Sequence, residues 1–169
     1  MTEWKDCQLG DLLTLHYGKG LPKRNRIKGN IPVYSSAGIT GYHNQALIDS
    51  KGIIIGRKGS IGTVYKSKIP FFPIDTSYYV LPDKKYDFDF VYYLLHSLKL
   101  NRLNEDSAVP GLNRKTAYSQ KIRIPILVDE QKSIASVLSS LDDKINLLHN
   151  QNITLEKIAN HFRLNLSWL

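Results

Sequence analysis

The chain has 169 residues, 42% of them hydrophobic, with 23 lysines and arginines against 15 aspartates and glutamates, a formal net charge of +8. That is enough apolar material for one real core and an excess of charge that attracts polyanions. A single cysteine, Cys7, excludes an internal disulfide framework and any multi-cysteine zinc site, and no run is apolar enough to suggest a membrane span. The opening Met-Thr-Glu-Trp-Lys-Asp does not resemble a secretion signal, so a soluble, cytoplasmic protein is expected.

In chain order, Leu9 to Tyr17 suits a short helix or a strand, and ten acid-free residues follow that carry Lys19, Lys23, Arg24, Arg26 and Lys28. Ile31-Pro-Val-Tyr-Ser-Ser-Ala-Gly reads as a strand ending in a turn. Gly52-Ile-Ile-Ile-Gly56 reads as a buried strand from its β-branched run. The loop Gly56-Arg-Lys-Gly-Ser-Ile-Gly62 then offers three glycines at spacing three, which let a backbone approach a partner closely, together with two cations. It lacks the Gly-Lys-Ser/Thr of a nucleotide-triphosphate loop and the spacing of a dinucleotide fingerprint, and a plain tight turn accounts for it equally well. Thr63 to Lys66 and Ser77 to Leu81 are further strands, and the second acid-free basic group is Lys51, Arg57, Lys58, Lys66 and Lys68. Behind an Asp87 cap, Phe90, Tyr93, Leu94 and Leu98 recur at helical spacing. A third basic group, Arg114 and Lys115 with Lys121 and Arg123, follows Pro110-Gly-Leu-Asn113.

From Asp129, read as an N-cap, to Arg163 the apolar positions advance by fours and threes: Ile134, Leu138, Leu141, Ile145, Leu148, Asn152, Leu155, Ala159 and Phe162. Such a seam predicts a long coiled-coil helix, on the order of 50 Å, built to pack along another helix; folding back on its own domain is the blander possibility. The expected fold class is therefore α+β: a mixed-sheet globular domain over residues 1–128, followed by a helical arm over 129–169. The arm carries four basic and five acidic side chains, whereas residues 1–128 hold 19 basic against 10 acidic, a net +9. The positive charge belongs to the domain, where a phosphate backbone would be met.

Two alternatives, one enzymatic and one RNA-binding, follow from local patterns. Asp75 with Asp83-Lys-Lys85 loosely imitates a Mg²⁺-dependent nuclease, but Pro82 places Asp83 in a turn. Ile55-Gly-Arg-Lys-Gly59 resembles the Gly-x-x-Gly clamp of a KH RNA-binding domain, although that clamp joins two helices. His16, His43, His96, His149 and His161 show no metal-ligand spacing.

A family resemblance rests on a series of motifs in order. These are Trp4…Leu9-Gly-Asp11, Gly18-Lys-Gly-Leu-Pro-Lys23, Ile31-Pro-Val-Tyr-Ser-Ser-Ala-Gly-Ile-Thr-Gly41, Ile55-Gly-Arg-Lys-Gly-Ser-Ile-Gly62, Asp75-Thr-Ser-Tyr-Tyr-Val80, Val109-Pro-Gly-Leu-Asn-Arg114, Ile124-Pro-Ile126, Glu130-Gln131 and Leu141-Asp-Asp-Lys-Ile145. Together they resemble a target recognition domain and spacer helix of the DNA-specificity (S) subunit of type I restriction-modification enzymes. The resemblance implies a non-catalytic reader of double-stranded DNA that holds no cofactor itself. Partner methylation subunits would bind S-adenosylmethionine, and motor-nuclease subunits would cleave. Family members usually carry two recognition domains and two antiparallel spacer helices, so one of each implies a half-subunit or a truncated form. A second copy or a missing half would pair with the arm through the seam. Lys19, Lys23, Arg24, Arg26, Arg57, Lys58, Arg114 and Lys115 are the candidate phosphate contacts, and Ser35, Ser36, Tyr42, His43, Asn44, Ser60, Thr76, Ser77 and Asn113 the candidate base readers.

Overall fold

The structure, a computed structural model, describes residues 3–103 and 111–166, with side chains of the last helix described as far as His161. The Val109-Pro110 part of one motif and the side chain of Phe162 lie outside the described residues. Strands β1 (Trp4–Gln8), β2 (His16–Tyr17), β3 (Ile31–Ser35), β4 (Gly38–His43), β5 (Gly52–Gly56), β6 (Val64–Ser67), β7 (Phe72–Pro73), β8 (Ser77–Val80) and β9 (Lys121–Pro125) are joined by helices α1 (Leu9–Leu12), α2 (Phe88–Ser97) and α3 (Arg114–Tyr118), and the long helix α4 (Val128–Leu166) follows β9. The strands form three small sheets in the orders β1-β9, β2-β8-β5-β6 and β4-β3-β7. Among the described residues only the β3/β7 strand pair is parallel, as expected where most connections are short.

β5 explains the unbroken apolar run. It pairs antiparallel with both β6 and β8, so it is central, and its two faces serve different cores. Ile53 and Ile55 point into the larger cluster with Leu9, Leu15, Tyr78, Leu95, Leu112 and Ile124, while Ile54 packs with Tyr34 and Phe71. A strand covered on both sides has no reason to alternate. The ambiguous segment Leu9 to Tyr17 is both things in turn: a four-residue helix closed by reciprocal bonds between Gln8 and Asp11, then β2. The Asp87 cap is present, its carboxylate accepting the Phe90 N–H at 2.8 Å.

The arm starts one residue earlier than its pattern suggested. Asp129 lies inside the first turn, where it accepts from Lys132 Nζ at 2.9 Å, and the Leu127 carbonyl receives the N–H groups of Glu130 and Gln131. Its root packs against α2: Gln131 and Ala135 are buried, Ile134 joins the main cluster, and the Tyr93 hydroxyl donates to Asp142 Oδ2 at 2.8 Å. From Ser140 to His161 every residue is exposed, so the helix leaves the domain instead of folding back on it.

Gly62 shows how tightly the loop after β5 is wedged. It sits at φ +68°, and a Cβ there would strike the backbone of Leu100 and Asn101. Gly62→Ala is therefore expected to cost at least ~2 kcal/mol, read as a fall in the urea midpoint with unchanged slope.

Candidate nucleic-acid interface

The loop after β5 is held by backbone hydrogen bonds to itself and to two distant segments. Gly56 N–H donates to Thr63 O and Gly62 N–H to Gly56 O, each at 2.8 Å. The Arg57 and Lys58 N–H groups both donate to Thr76 O, and Leu112 N–H donates to Arg57 O at 2.8 Å. Lys58 also bridges to Gly111, and the Tyr78 hydroxyl donates to Leu112 O at 3.1 Å. Three segments far apart in sequence are thereby fastened into one edge. The glycines serve this closure; their close approach is to the chain itself.

That edge presents an open groove of about 490 Å³ lined by Tyr17, Arg57, Lys58, Asn113, Arg114 and Lys115 among others, with no acidic side chain among the described residues of its lining. The Arg57 guanidinium donates to Asp75 O at 2.9 Å and lies 5.0 Å from the centroid of the Tyr17 ring. Arg114 lies 5.2 Å from the same ring. A half-exposed tyrosine thus carries two guanidiniums, whose planar donors match phosphate oxygens. Beneath them burial pushes the Tyr78 phenol above its ordinary pKa, a shift reinforced by Tyr17 and opposed by Arg57. Tyr78 therefore stays a neutral donor to Leu112 O.

Asn113 acts as the cap of α3, its Oδ1 accepting the Lys115 N–H at 2.8 Å. Asn113→Ala is expected to cost ~1 kcal/mol of stability and to loosen Arg114 and Lys115, measurable as a lower melting temperature with weaker DNA binding.

The sequence-derived residues separate into groups. Ser35, Ser36, Ser60 and Thr76 stand beside the groove: Ser36 N–H donates to Thr76 Oγ1 at 3.3 Å, and the Thr63 hydroxyl donates to Ser36 O. Lys19 is next to it, tied by its N–H to Pro73 O. Lys23 and Arg24 are exposed on a loop that runs toward the other end of β4, where Tyr42 and Asn44 are exposed. A six-residue strand puts that end roughly 17 Å from the serine turn, so the candidates form a strip instead of one cluster.

Several side chains are committed inside the fold. Ser77 is wholly buried and donates to Ile74 O at 2.9 Å. His43 is buried, accepts the Ile27 N–H on Nδ1 at 3.0 Å and packs edge-on against Phe72. Ser36 is buried as well, and Arg26 donates to Thr40 O and Leu21 O, pinning its loop to β4. The side chains of Ser77, His43 and Arg26 thus each bond to the chain itself, whereas the bonds of Ser36 are made by its backbone N–H and carbonyl.

The second basic group also divides. Lys66 is paired with Asp89 at 2.5 Å and lies over the Tyr92 ring, and Lys51 lies over Phe88, both away from the groove. Tyr17 was missed from sequence, although an aromatic just before Gly-Lys-Gly was the available signal.

The RNA-clamp alternative is corrected by topology: the glycine loop joins antiparallel strands β5 and β6, not two helices. The nuclease pattern separates too. Asp75 precedes β8 and Asp83 follows it, with Asp83 Oδ1 accepting the Lys85 N–H in a turn. Among the described residues there is no group of three His, Cys, Asp or Glu placed to hold a metal ion, and no helix is long and apolar enough to cross a membrane.

Along α4, the domain takes the first of the seam positions. Ile134 packs on the core and Leu138 is half-buried, whereas Leu141, Ile145, Leu148, Asn152, Leu155 and Ala159 are exposed. At about 100° per residue the root of the seam lies roughly 70° around the helix from the face formed by Gln131, Ala135 and Asp142, so the two faces adjoin there. From Leu141 onward the seam is clear of the domain, and a partner helix can lie there.

The chain matches the model of the type I restriction modification DNA specificity domain over residues 1–157. Its fold is similar to the S subunit of the type-I restriction-modification system from M. genitalium, with a TM-score of 0.76 and 21% identity over 88% of this chain and 41% of that one. It is also similar to the HsdS subunit from Thermoanaerobacter tengcongensis, with a TM-score of 0.63 and 16% identity over 86% of this chain and 39% of that one. A chain from a structure of complex assembly and conformational transition of the type I R-M system gives a TM-score of 0.66 at 14% identity, covering 86% and 40%. This chain thus spans about two fifths of the length of the solved chains it matches. With the family match extending through the domain and most of the arm, the chain belongs to the type I restriction modification DNA specificity domain family.

Proposed function

We propose that this chain is a non-catalytic specificity subunit, or half of one, that reads one half of a bipartite double-stranded DNA site and delivers partner methylation and motor-nuclease subunits to it. The observation that carries this reading is the groove in which Arg57 and Arg114 share the Tyr17 ring beside Lys58 and Lys115. Arg57, Lys58, Arg114, Lys115 and Lys19 hold phosphates and set the domain's register on the duplex; Tyr42, Asn44 and Ser60, exposed along the same strip, approach base edges. S-adenosylmethionine belongs to the methylation subunit, and this chain supplies address instead of chemistry.

A second copy supplies the other half through the arm. Val137, Lys144, Gln151 and Ile158 lie on one flank of the seam and Asp142, His149 and Glu156 on the other. In a parallel pair opposite flanks meet, setting Val137 beside Asp142 and Lys144 beside His149. In an antiparallel pair like flanks meet, which brings Val137 against the partner's Ile158 and Asp142 against the partner's His149. Val137 and Ile158 are both exposed in the single chain, so the antiparallel arrangement covers apolar surface that the parallel one would set against charge. It also places Ile145 on the partner's Leu148 and Ile134, crowded by its own domain, on the partner's small Ala159. The two domains then stand ~35 Å apart along the arms, about one turn of B-DNA.

Selection of bound duplexes from a random pool, with and without the cognate methylation subunit, tests the proposal. A split inverted repeat with one fixed gap and half-sites roughly one turn apart is expected. Binding without sequence enrichment in either condition would reduce the chain to a nonspecific polyanion binder.

A further inference from the structure

A helix that follows two exposed residues, Ile126 and Leu127, would swing about its root unless something held it. Gln131 is wholly buried, which is unusual for an amide unless both of its ends are satisfied. Here both are: Nε2 donates to Pro125 O at 2.9 Å and Oε1 accepts the Asp87 N–H at 2.9 Å. Pro125 ends β9, and Asp87 caps α2. One side chain on the first turn of the arm therefore grips the end of a sheet and the start of a helix. A methionine or leucine would fill the same space, so what the amide adds is direction.

Eleven residues on, ~16 Å along the axis, the Tyr93 hydroxyl of α2 grips Asp142. Burial, and then the Asp142 carboxylate, push the Tyr93 phenol up to about 12, so it remains a donor throughout the neutral range. Between the two grips Ala135 is buried and small enough to let α4 lie close on α2. Gln131 and Asp142 project from the same side of the helix, and two fixed points on one side of a rod set its direction.

We infer that Gln131 and the Tyr93–Asp142 pair are positioning residues that lock the arm at a single angle to the recognition domain. The grips lie only roughly 60° around the helix from the neighbouring seam positions, so the lock borders the surface a second copy would cover, and every bond in it is made within one chain. On the reading of the chain as half of a bipartite reader, on which this consequence rests, the lock fixes the distance and rotational phase between two half-site surfaces.

The test measures the angle directly. In a Cys7→Ser background, spin labels on Lys84→Cys and Asn150→Cys, both exposed and Asn150 on the side of the helix away from the seam, report the domain-to-arm distance; labelled chain is diluted in excess unlabelled chain to remove signals between copies. One narrow distance distribution is expected for the otherwise wild-type chain. Tyr93→Phe and Gln131→Met should each broaden it, at least twofold for the double variant, with far-UV circular dichroism unchanged. A distribution as narrow in the folded double variant would overturn the inference. If Gln131→Met does not fold, Tyr93→Phe with Asp142→Asn, which alters only the outer grip, takes its place: broadening supports the lock and an unchanged width refutes it.

Random-pool selection reads the consequence. The variants should retain the half-site sequence while spreading over neighbouring gap lengths that the wild type rejects, and a gap as sharp as wild type would overturn it. A wild-type pool with no gapped site would instead refute the bipartite reading, while the spin-label distances still decide the lock.

Discussion

Ile145→Asp is expected to convert the protein into a folded monomer. Ile145 is 62% exposed in the single chain and far from the domain, so the substitution leaves the core, and hence the melting temperature of the isolated protomer, essentially unchanged. In the proposed antiparallel pair the same position sits on the partner's Leu148 near the centre of the interface. A carboxylate buried there without a cation costs roughly 4 kcal/mol per copy, about 10³-fold in affinity for each. Sedimentation should show the change directly. DNA binding then separates two contributions: affinity for a duplex carrying both half-sites should fall by ~10²–10⁴, the advantage that linking two modules confers, while affinity for a single half-site stays as it was. A variant that still sediments as a dimer would remove the seam from the interface.

The double variant Arg57→Ala/Arg114→Ala carries the other large effect. Each guanidinium that neutralises a phosphate releases a counterion on binding, so removing two should lower the slope of log affinity against log salt by about 1.8. At a fixed moderate salt concentration a loss on the order of 10-fold per arginine is expected, and it should be nearly the same for every sequence, since phosphates carry no sequence information. Arg57→Lys discriminates further. It keeps the charge and gives up the planar group over Tyr17 and the fork that reaches Asp75 O, so the slope should hold while affinity falls part of the way. Lys51→Ala is the control: it removes one charge beside Phe88, away from the groove, and should leave the slope unaltered. A double variant whose slope matches the wild type would take the groove off the DNA.

The α+β class, the buried strand Gly52–Gly56, the Asp87-capped helix and the long helix with its seam could all be read from the residues, because each depends on periodicity and caps within a few positions of the chain. The arm's lack of cover was legible for the same reason: a heptad seam is a local pattern with a nonlocal requirement. Which polar groups face solvent was not legible. His43, Ser77 and Arg26 have the chemistry of contact residues, but their partners, Ile27, Ile74 and Thr40, are supplied by folding. The groove itself is made of residues 17, 57–58 and 111–115, brought together by backbone bonds that no local pattern announces. Sequence could say that three basic segments exist; only tertiary structure chose Arg57 and Arg114 from them and set Lys66 aside in an ion pair with Asp89. The same holds for Gln131, an ordinary polar residue at the start of a helix until the end of β9 and the cap of α2 close around it. Local order follows from short-range sterics and hydrophobic period, and so was written in the residues; the choice of which side chains are free to act depends on desolvation, and only the packed chain sets that.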